Sequence, residues 1–427
     1  TSGGPAPITP SGARALWLDA NTIAWNGTAG ASYRLLYDPD GSLDTTAESS
    51  ACVFPTPAGG CYVTLTASGT ISGYPKNPNA TGLTRLLLPG GVTNDDIKHL
   101  LKGQVVIASY NGSGTRLDAT RTQIQSILDT LYAASAKTQP LGTSYSSGIP
   151  TLKVWAPTAH TVTVRRFADA STPTYTTHPL TLDNASGVWS ITGDATWDRD
   201  YYLLDVEVYV ASLDQVVHNV VSDPYAITLS ADTADTADPR SQFVNLNDAD
   251  LKPTGWDSLT KPTLAAPEDI VVYEMHIRDF SINDSSVAAN DRGTYRAFTY
   301  DGSGPNPNAT LSDGMSHLLQ LQQAGLTHVH LLPTFDIASV PEGSVPRTVT
   351  PNPVGYARNS DQQQTSVGTA RATDGFNWGY DPYHYGAPEG SYSTNPADGT
   401  QRILEFREMV QTLNQNGLRV VMDVVYN

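Results

Sequence analysis

The stretch Gly375-Phe376-Asn377-Trp378-Gly379-Tyr380-Asp381-Pro382-Tyr383-His384-Tyr385 interleaves aromatic rings with amide, carboxylate and imidazole groups. Such a mixture suits a sugar, because a pyranose offers an apolar C–H face for a ring to cover and a belt of hydroxyls for Asn, Asp and His to bind. The competing reading is a loop folded on its own aromatic cluster. A second group is His276, His328 and His330, which fall in segments that read as strands. Alternation puts His328 and His330 on one face of their strand, and hydrogen-bonded interior histidines are expected there in preference to a metal site. Glu274 precedes His276 and, once inside a fold, needs a partner that Arg278 or Arg419 could supply. The only cysteines, Cys52 and Cys61, flank Pro55, Pro57, Gly59 and Gly60. Catalytic or metal partners are lacking in that stretch, so the expectation is one disulfide closing a loop.

Three blocks of secondary structure must carry these groups. After an N-terminus expected to be flexible over 1–13, residues 14–140 read as short alternating segments cut by Gly, Pro, Asn and Asp turns, a β-rich domain. One helix is predicted in it, with Ile124, Ile127, Leu128 and Leu131 on a single face. Residues 141–252 repeat the β theme through Thr151-Leu152-Lys153-Val154-Trp155 and Thr161-Val162-Thr163-Val164-Arg165, at the spacing of a β-sandwich. A linker is expected over 253–269. From 270 to 427 strands alternate with helices: strands at Ile270–Ile277, Thr327–Leu332 and Leu418–Val425, a helix through Leu311, Met315, Leu318 and Leu319, and another through Ile403, Phe406, Val410 and Leu413. These are βαβ units, compatible with a doubly wound sheet or with an eight-stranded barrel.

Composition removes whole classes of function. Twenty-five basic against 42 acidic residues leave a net charge of −17 on 427 residues, and no basic run exists for a nucleic acid to bind. At 39% hydrophobic the chain can bury several cores. Its longest apolar runs, such as 418–425, fall far short of the ~20 residues of a membrane span. The opening TSGGPAPITPSGA has neither a positive nor an apolar region and reads as a mature or trimmed terminus. Trp17, Tyr74, Trp155 and Trp189 are possible sugar platforms in the first two blocks, with core positions the commoner outcome.

Three motifs together carry a resemblance. Val272-Tyr273-Glu274-Met275-His276-Ile277-Arg278-Asp279-Phe280-Ser281, the Phe376–Pro382 stretch, and Val421-Met422-Asp423-Val424-Val425-Tyr426-Asn427 resemble glycoside hydrolase family 13, in particular type I pullulanases and plant-type limit dextrinases. The middle block, through Val154-Trp155-Ala156-Pro157 and Ser222-Asp223-Pro224-Tyr225, resembles the family-48 carbohydrate-binding module. Phe376 stands where the family's stretch has tyrosine.

The resemblance implies a multidomain fold: β-sandwich N-terminal domains followed by the first part of a (β/α)8 TIM barrel, whose active site lies at the C-terminal ends of its strands. By position it makes Asn377, Trp378, Tyr380, Asp381, Asp423 and Asn427 substrate-binding residues. Tyr380 would stack under the glucose at the cleavage subsite, with Trp378 and Asp381 on the adjoining wall. Asp423 would bond an arginine beside the nucleophile, and Asn427 would build the active-site floor or a calcium site. Activity is implied to be hydrolysis of α-1,6 branch linkages in pullulan, amylopectin or limit dextrins by a retaining mechanism, with calcium as cofactor and an α-glucan as partner. The family's nucleophile and general acid lie on later strands, so no catalytic residue falls within 1–427. Three strands cannot close a barrel of ~250 residues, and the chain is therefore expected to be part of a longer polypeptide, exported from the cell or placed in a periplasm or plastid. Rivals are an isoamylase or branching enzyme on the same scaffold, and a non-catalytic glucan-binding fragment.

Overall fold

The structure, a computed structural model, describes residues 12–43, 50–231, 239–303, 310–342, 355–370, 375 and 377–426. The first body is an eight-stranded sheet in which Ala13–Asp19 sits between Arg116–Gln123 and Thr22–Trp25. A further pairing of Ser32–Asp38 with Cys61–Thr70 joins the two ends of the run, so the sheet rolls back on itself. Side chains from alternate positions, among them Ala15, Trp17, Ile23, Trp25, Leu35 and Ile107, fill the interior. The helix Gln125–Ala136 buries Ile127 against them, with Ile124, Leu128 and Leu131 at the margin, the face that its periodicity predicts. Cys52 and Cys61 are joined as a disulfide.

The second body is a sandwich of two antiparallel sheets. One sheet runs Thr181–Asp183, Val188–Thr192, Ile149–Trp155, Gly142–Ser146, and the other is centred on Ala159–Phe167 and Tyr201–Val210. Alternation sends Leu152, Val154, Val162 and Val164 inward, where Trp189, Trp197 and Phe243 complete the core. Trp17 and Trp189 are thus core residues, and the indole N–H of Trp155 donates to Ser186 O at 2.9 Å.

The third body is a three-stranded parallel sheet of β1 (Val272–Met275), β2 (His328–Leu331) and, after a long connection, Arg419–Met422. Helix α1 (Asp313–Gln323) packs Met315 and Leu318 onto it. Within the connection β3 (Phe335–Ile337) pairs antiparallel with β4 (Pro382–Pro388), and α2 (Gly399–Gln415) returns the chain to β5 (Arg419–Met422). Ile403, Met409 and Leu413 of α2 are buried.

Two expectations need correction. His276 does not lie in a strand: β1 ends at Met275, and the imidazole accepts the Arg278 N–H, capping the short helix Ile277–Ser281. Leu311 is outside α1 and 49% exposed, because Ser312 caps the helix by accepting the Met315 N–H and so starts it at Asp313. His328 is buried and its Nδ1 lies 2.8 Å from Thr327 Oγ1, while His330 Nδ1 approaches Glu274 at 3.9 Å.

Candidate functional site

Parallel strands aim their C-terminal ends at one face, and the sequence places its chemically rich residues just beyond those ends. Asp423 follows β5 directly, its N–H donating to Leu331 O of β2 at 2.9 Å. The aromatic loop before β4 crosses the same face. There the Tyr380 hydroxyl donates to Asp423 Oδ2 at 2.5 Å, so two residues 43 positions apart meet. That bond to a carboxylate, and then burial, push the tyrosine up to about 12. The ring stays 41% exposed and Trp378 is 62% exposed, leaving two flat apolar faces in solvent beside a carboxylate. Tyr385 and Tyr426 add a further tilted pair, 5.1 Å between centroids.

The loop is held from below. Asn377 Oδ1 accepts the Gly379 N–H at 2.8 Å, its Nδ2 donates to Ser339 Oγ at 2.5 Å, and its carbonyl lies 2.8 Å from His276 Nε2. Gly379 has φ +91°, and a Cβ there would stand 2.7 Å from Pro333 Cβ, so only glycine makes the turn that presents Trp378 and Tyr380. Asp381 gives its backbone carbonyl to the Ala338 N–H at 2.8 Å, whereas its Oδ1 is buried without a hydrogen-bond partner. The structure therefore joins Tyr380 to Asp423 with Trp378 exposed in the same loop, while the Asn377 side chain is bonded to Gly379 and Ser339. Asn427 and Phe376 lie outside the described residues.

Beneath this face is a charge cluster that the sequence does not announce, its members spread from 336 to 402. Arg402, fully buried on α2, donates to Glu342 through both terminal nitrogens, Nη1 at 2.9 Å to Oε1, and lies 3.7 Å from Asp336. Burial opposes the charge on Arg402, but Glu342 and Asp336 overcome that and raise its pKa. Burial raises Glu342 well above the usual carboxylate range and takes Glu389 up to about 7, with Asp336 adding to the latter. Glu389 accepts N–H groups from Ile337 at 2.7 Å and Ser391 at 2.8 Å. Gly390 is required beside it, since a Cβ would fall 2.3 Å from the Arg402 guanidinium carbon.

Asp336, Glu342 and Glu389 each offer an oxygen within 4.8 Å of the others, and among the described residues this group could hold a metal ion. Its oxygen donors are of the kind calcium prefers. As the residues stand these oxygens are engaged, Glu342 by Arg402, Asp336 by His384 and Glu389 by the Ile337 and Ser391 N–H groups, so an ion would have to displace some of these partners.

The same cluster reaches the sandwich. Ser222 Oγ lies 2.7 Å from His384 Nε2, whose Nδ1 lies 2.7 Å from Asp336 Oδ2. Hydroxyl, imidazole and carboxylate in a row are the parts of an acyl-transfer triad. Here Ser222 is only 7% exposed, too enclosed for a substrate carbonyl, and the row instead ties the second body to the third. Arg402 does likewise by donating to Ser230 O at 2.8 Å.

Known proteins agree with this architecture. Residues 12–130 match the model of the pullulanase N2 domain, and residues 140–226 that of carbohydrate-binding module 48, the isoamylase N-terminal domain. A pullulanase of Klebsiella pneumoniae is 35% identical over 97% of this chain and 39% of its own length. The chloroplastic pullulanase 1 of Arabidopsis thaliana is 39% identical over 78% of this chain and 33% of its own. The apo crystal structure of Klebsiella pneumoniae pullulanase superposes with a TM-score of 0.83 at 33% identity, covering 98% of this chain and 47% of that one. Fold and family models thus define a protein with a pullulanase N2 domain and a family-48 module. The chain belongs to the pullulanase type of glycoside hydrolase family 13 and carries its N-terminal region, spanning 33% to 39% of the length of these two relatives.

Proposed function

We propose that this chain supplies the substrate platform of an α-1,6-glucosidic debranching hydrolase acting on pullulan, amylopectin and limit dextrins. The observation that carries the reading is the meeting of Tyr380 and Asp423 at the C-terminal ends of the parallel strands, with Trp378 exposed beside them. A glucose ring lying on Tyr380 would offer its hydroxyls to Asn377, Asp381 and Asp423. Retaining hydrolysis needs a carboxylate nucleophile and a carboxylic acid about 5 Å apart, roles assigned to later strands of the complete polypeptide. That remainder would also pair with the outer strands, where Val272 and Val421 are 51% and 40% exposed. Secretion is proposed on the disulfide and the acidic composition. Calcium, which the resemblance implies, is not assigned to Asp336, Glu342 and Glu389, whose oxygens are engaged by His384, Arg402 and backbone N–H groups.

The absence of a matched nucleophile from residues 1–427 favours a second reading, glucan binding without hydrolysis by these residues alone. Incubation with pullulan and sizing of the products separates the two. Release of maltotriose supports the debranching reading. Retention on immobilised amylose with no product supports binding alone, and neither outcome would refute both.

A further inference from the structure

We propose that His276 is a positioning residue for the aromatic loop, acting through the carbonyl of Asn377 to set the direction of the backbone that presents Trp378 and Tyr380. The inference rests on the glucan-platform reading and names a residue that the motif comparison leaves without a role.

The proton on the imidazole is located by its neighbours. Nδ1 accepts the Arg278 N–H at 3.1 Å, which leaves the proton on Nε2, and Nε2 donates to Asn377 O at 2.8 Å. The ring is 6% exposed, and burial lowers its pKa, favouring this neutral form. Tyr392 stands edge-on to it at 5.6 Å between centroids, with its hydroxyl 3.1 Å from Nε2. The imidazole is therefore clamped by the cap of its own helix on one side and by Tyr392 on the other.

Asn377 in turn has its side chain committed at both ends, to Gly379 N and to Ser339 Oγ. Its carbonyl is the point at which the loop meets the end of β1. Residues 377, 378 and 380 have no helix or strand hydrogen bonds of their own. A peptide plane fixed at Asn377 fixes where Trp378 begins, and the Gly379 turn passes that orientation to Tyr380. The bond from His276 ends on the Asn377 carbonyl, so its effect runs through the backbone.

The test compares His276→Gln with His276→Asn and His276→Leu. The Gln amide reaches the place of Nε2 and keeps a donor for Asn377 O, the Asn amide reaches only the place of Nδ1, and Leu offers neither. Two readouts are taken on the full chain: hydrogen exchange at the Gly379 amide without ligand, and maltotriose titration followed by tryptophan fluorescence. His276→Leu and His276→Asn are expected to speed Gly379 exchange and weaken maltotriose binding by about tenfold, with His276→Gln within about threefold of the parent on both, the scale of one hydrogen bond. Unchanged exchange in His276→Leu, or equal exchange in the Gln and Asn variants, overturns the proposal. If Leu fails to fold, the Gln–Asn comparison still decides. A parent chain that binds no maltotriose refutes the platform reading alone, since the exchange arm needs no sugar.

Discussion

The rolled N-terminal sheet and the three-stranded parallel sheet handle their edges and interiors in opposite ways. In the first, Ser32–Asp38 bonds to both Gln104–Tyr110 and Cys61–Thr70, and the interior is apolar. In the second, the outer strands expose Val272, Tyr273, Val421 and Met422, and beside an apolar core of Met315, Val329, Met409 and Leu413 the connection that precedes β5 buries Asp336, Glu342, Glu389 and Arg402. Apolar packing depends on area and tolerates modest rearrangement, whereas a buried charge cluster holds only when every partner is in place. The difference teaches that the site-bearing region adds specific polar geometry to its apolar burial, whereas the N-terminal interior rests on bulk burial.

Arg402→Leu should break that contrast most severely. Removing the one guanidinium leaves Glu342 buried opposite Asp336 and Glu389, at a cost of about 3–5 kcal/mol. Hydrogen exchange should show protection lost along α2 and β4 and kept in the rolled sheet; equal loss in both would end the distinction. In the other region Leu35→Ala should cost about 3 kcal/mol as a cavity and a lost transfer term, with the unfolding midpoint lowered for residues 12–136 and the aromatic loop unaffected.

Acid–base behaviour sharpens the comparison further. Glu389 is raised from its ordinary 4.5 to about 7, so the folded chain holds a proton that the unfolded chain releases. Its contribution is fully present below about pH 4.5 and is lost as pH rises through about 7. Thermal melts from pH 4.5 to 8 should show the third body falling relative to the first, and Glu389→Gln should flatten that difference. Tyr380→Phe should weaken maltotriose binding by roughly three- to tenfold through the freed Asp423, without altering melting; isothermal titration measures it. The smallest effect is expected from chelation: EDTA should leave the melting temperature unchanged, because Arg402, His384 and backbone N–H groups already engage the acidic group. A clear drop would reassign that group to a cation.

Local patterns carried much of this protein. Period-two alternation in Thr151–Trp155 and Thr161–Arg165 identified the sandwich core, and the 3.6-residue spacing of Ile124, Ile127, Leu128 and Leu131 identified a helix, because each depends on near neighbours. His276 failed the same reading, since the imidazole's capping of the next helix is invisible in a run of apolar residues. Arg402, beside Ile403 on an amphipathic helix, carries no mark of burial; only the approach of Glu342 and Asp336 makes it a core residue.

By itself the sequence determined three segregated blocks, the disulfide candidates and a sugar-suited motif, all of which rest on composition and short-range periodicity. Tertiary structure alone decided that Tyr380 meets Asp423, that His276 meets the carbonyl of Asn377, and that Glu342 and Asp336 gather on Arg402. Those contacts join residues 43 to 101 positions apart, a separation at which chain spacing sets no distance and packing of strands and loops sets every one.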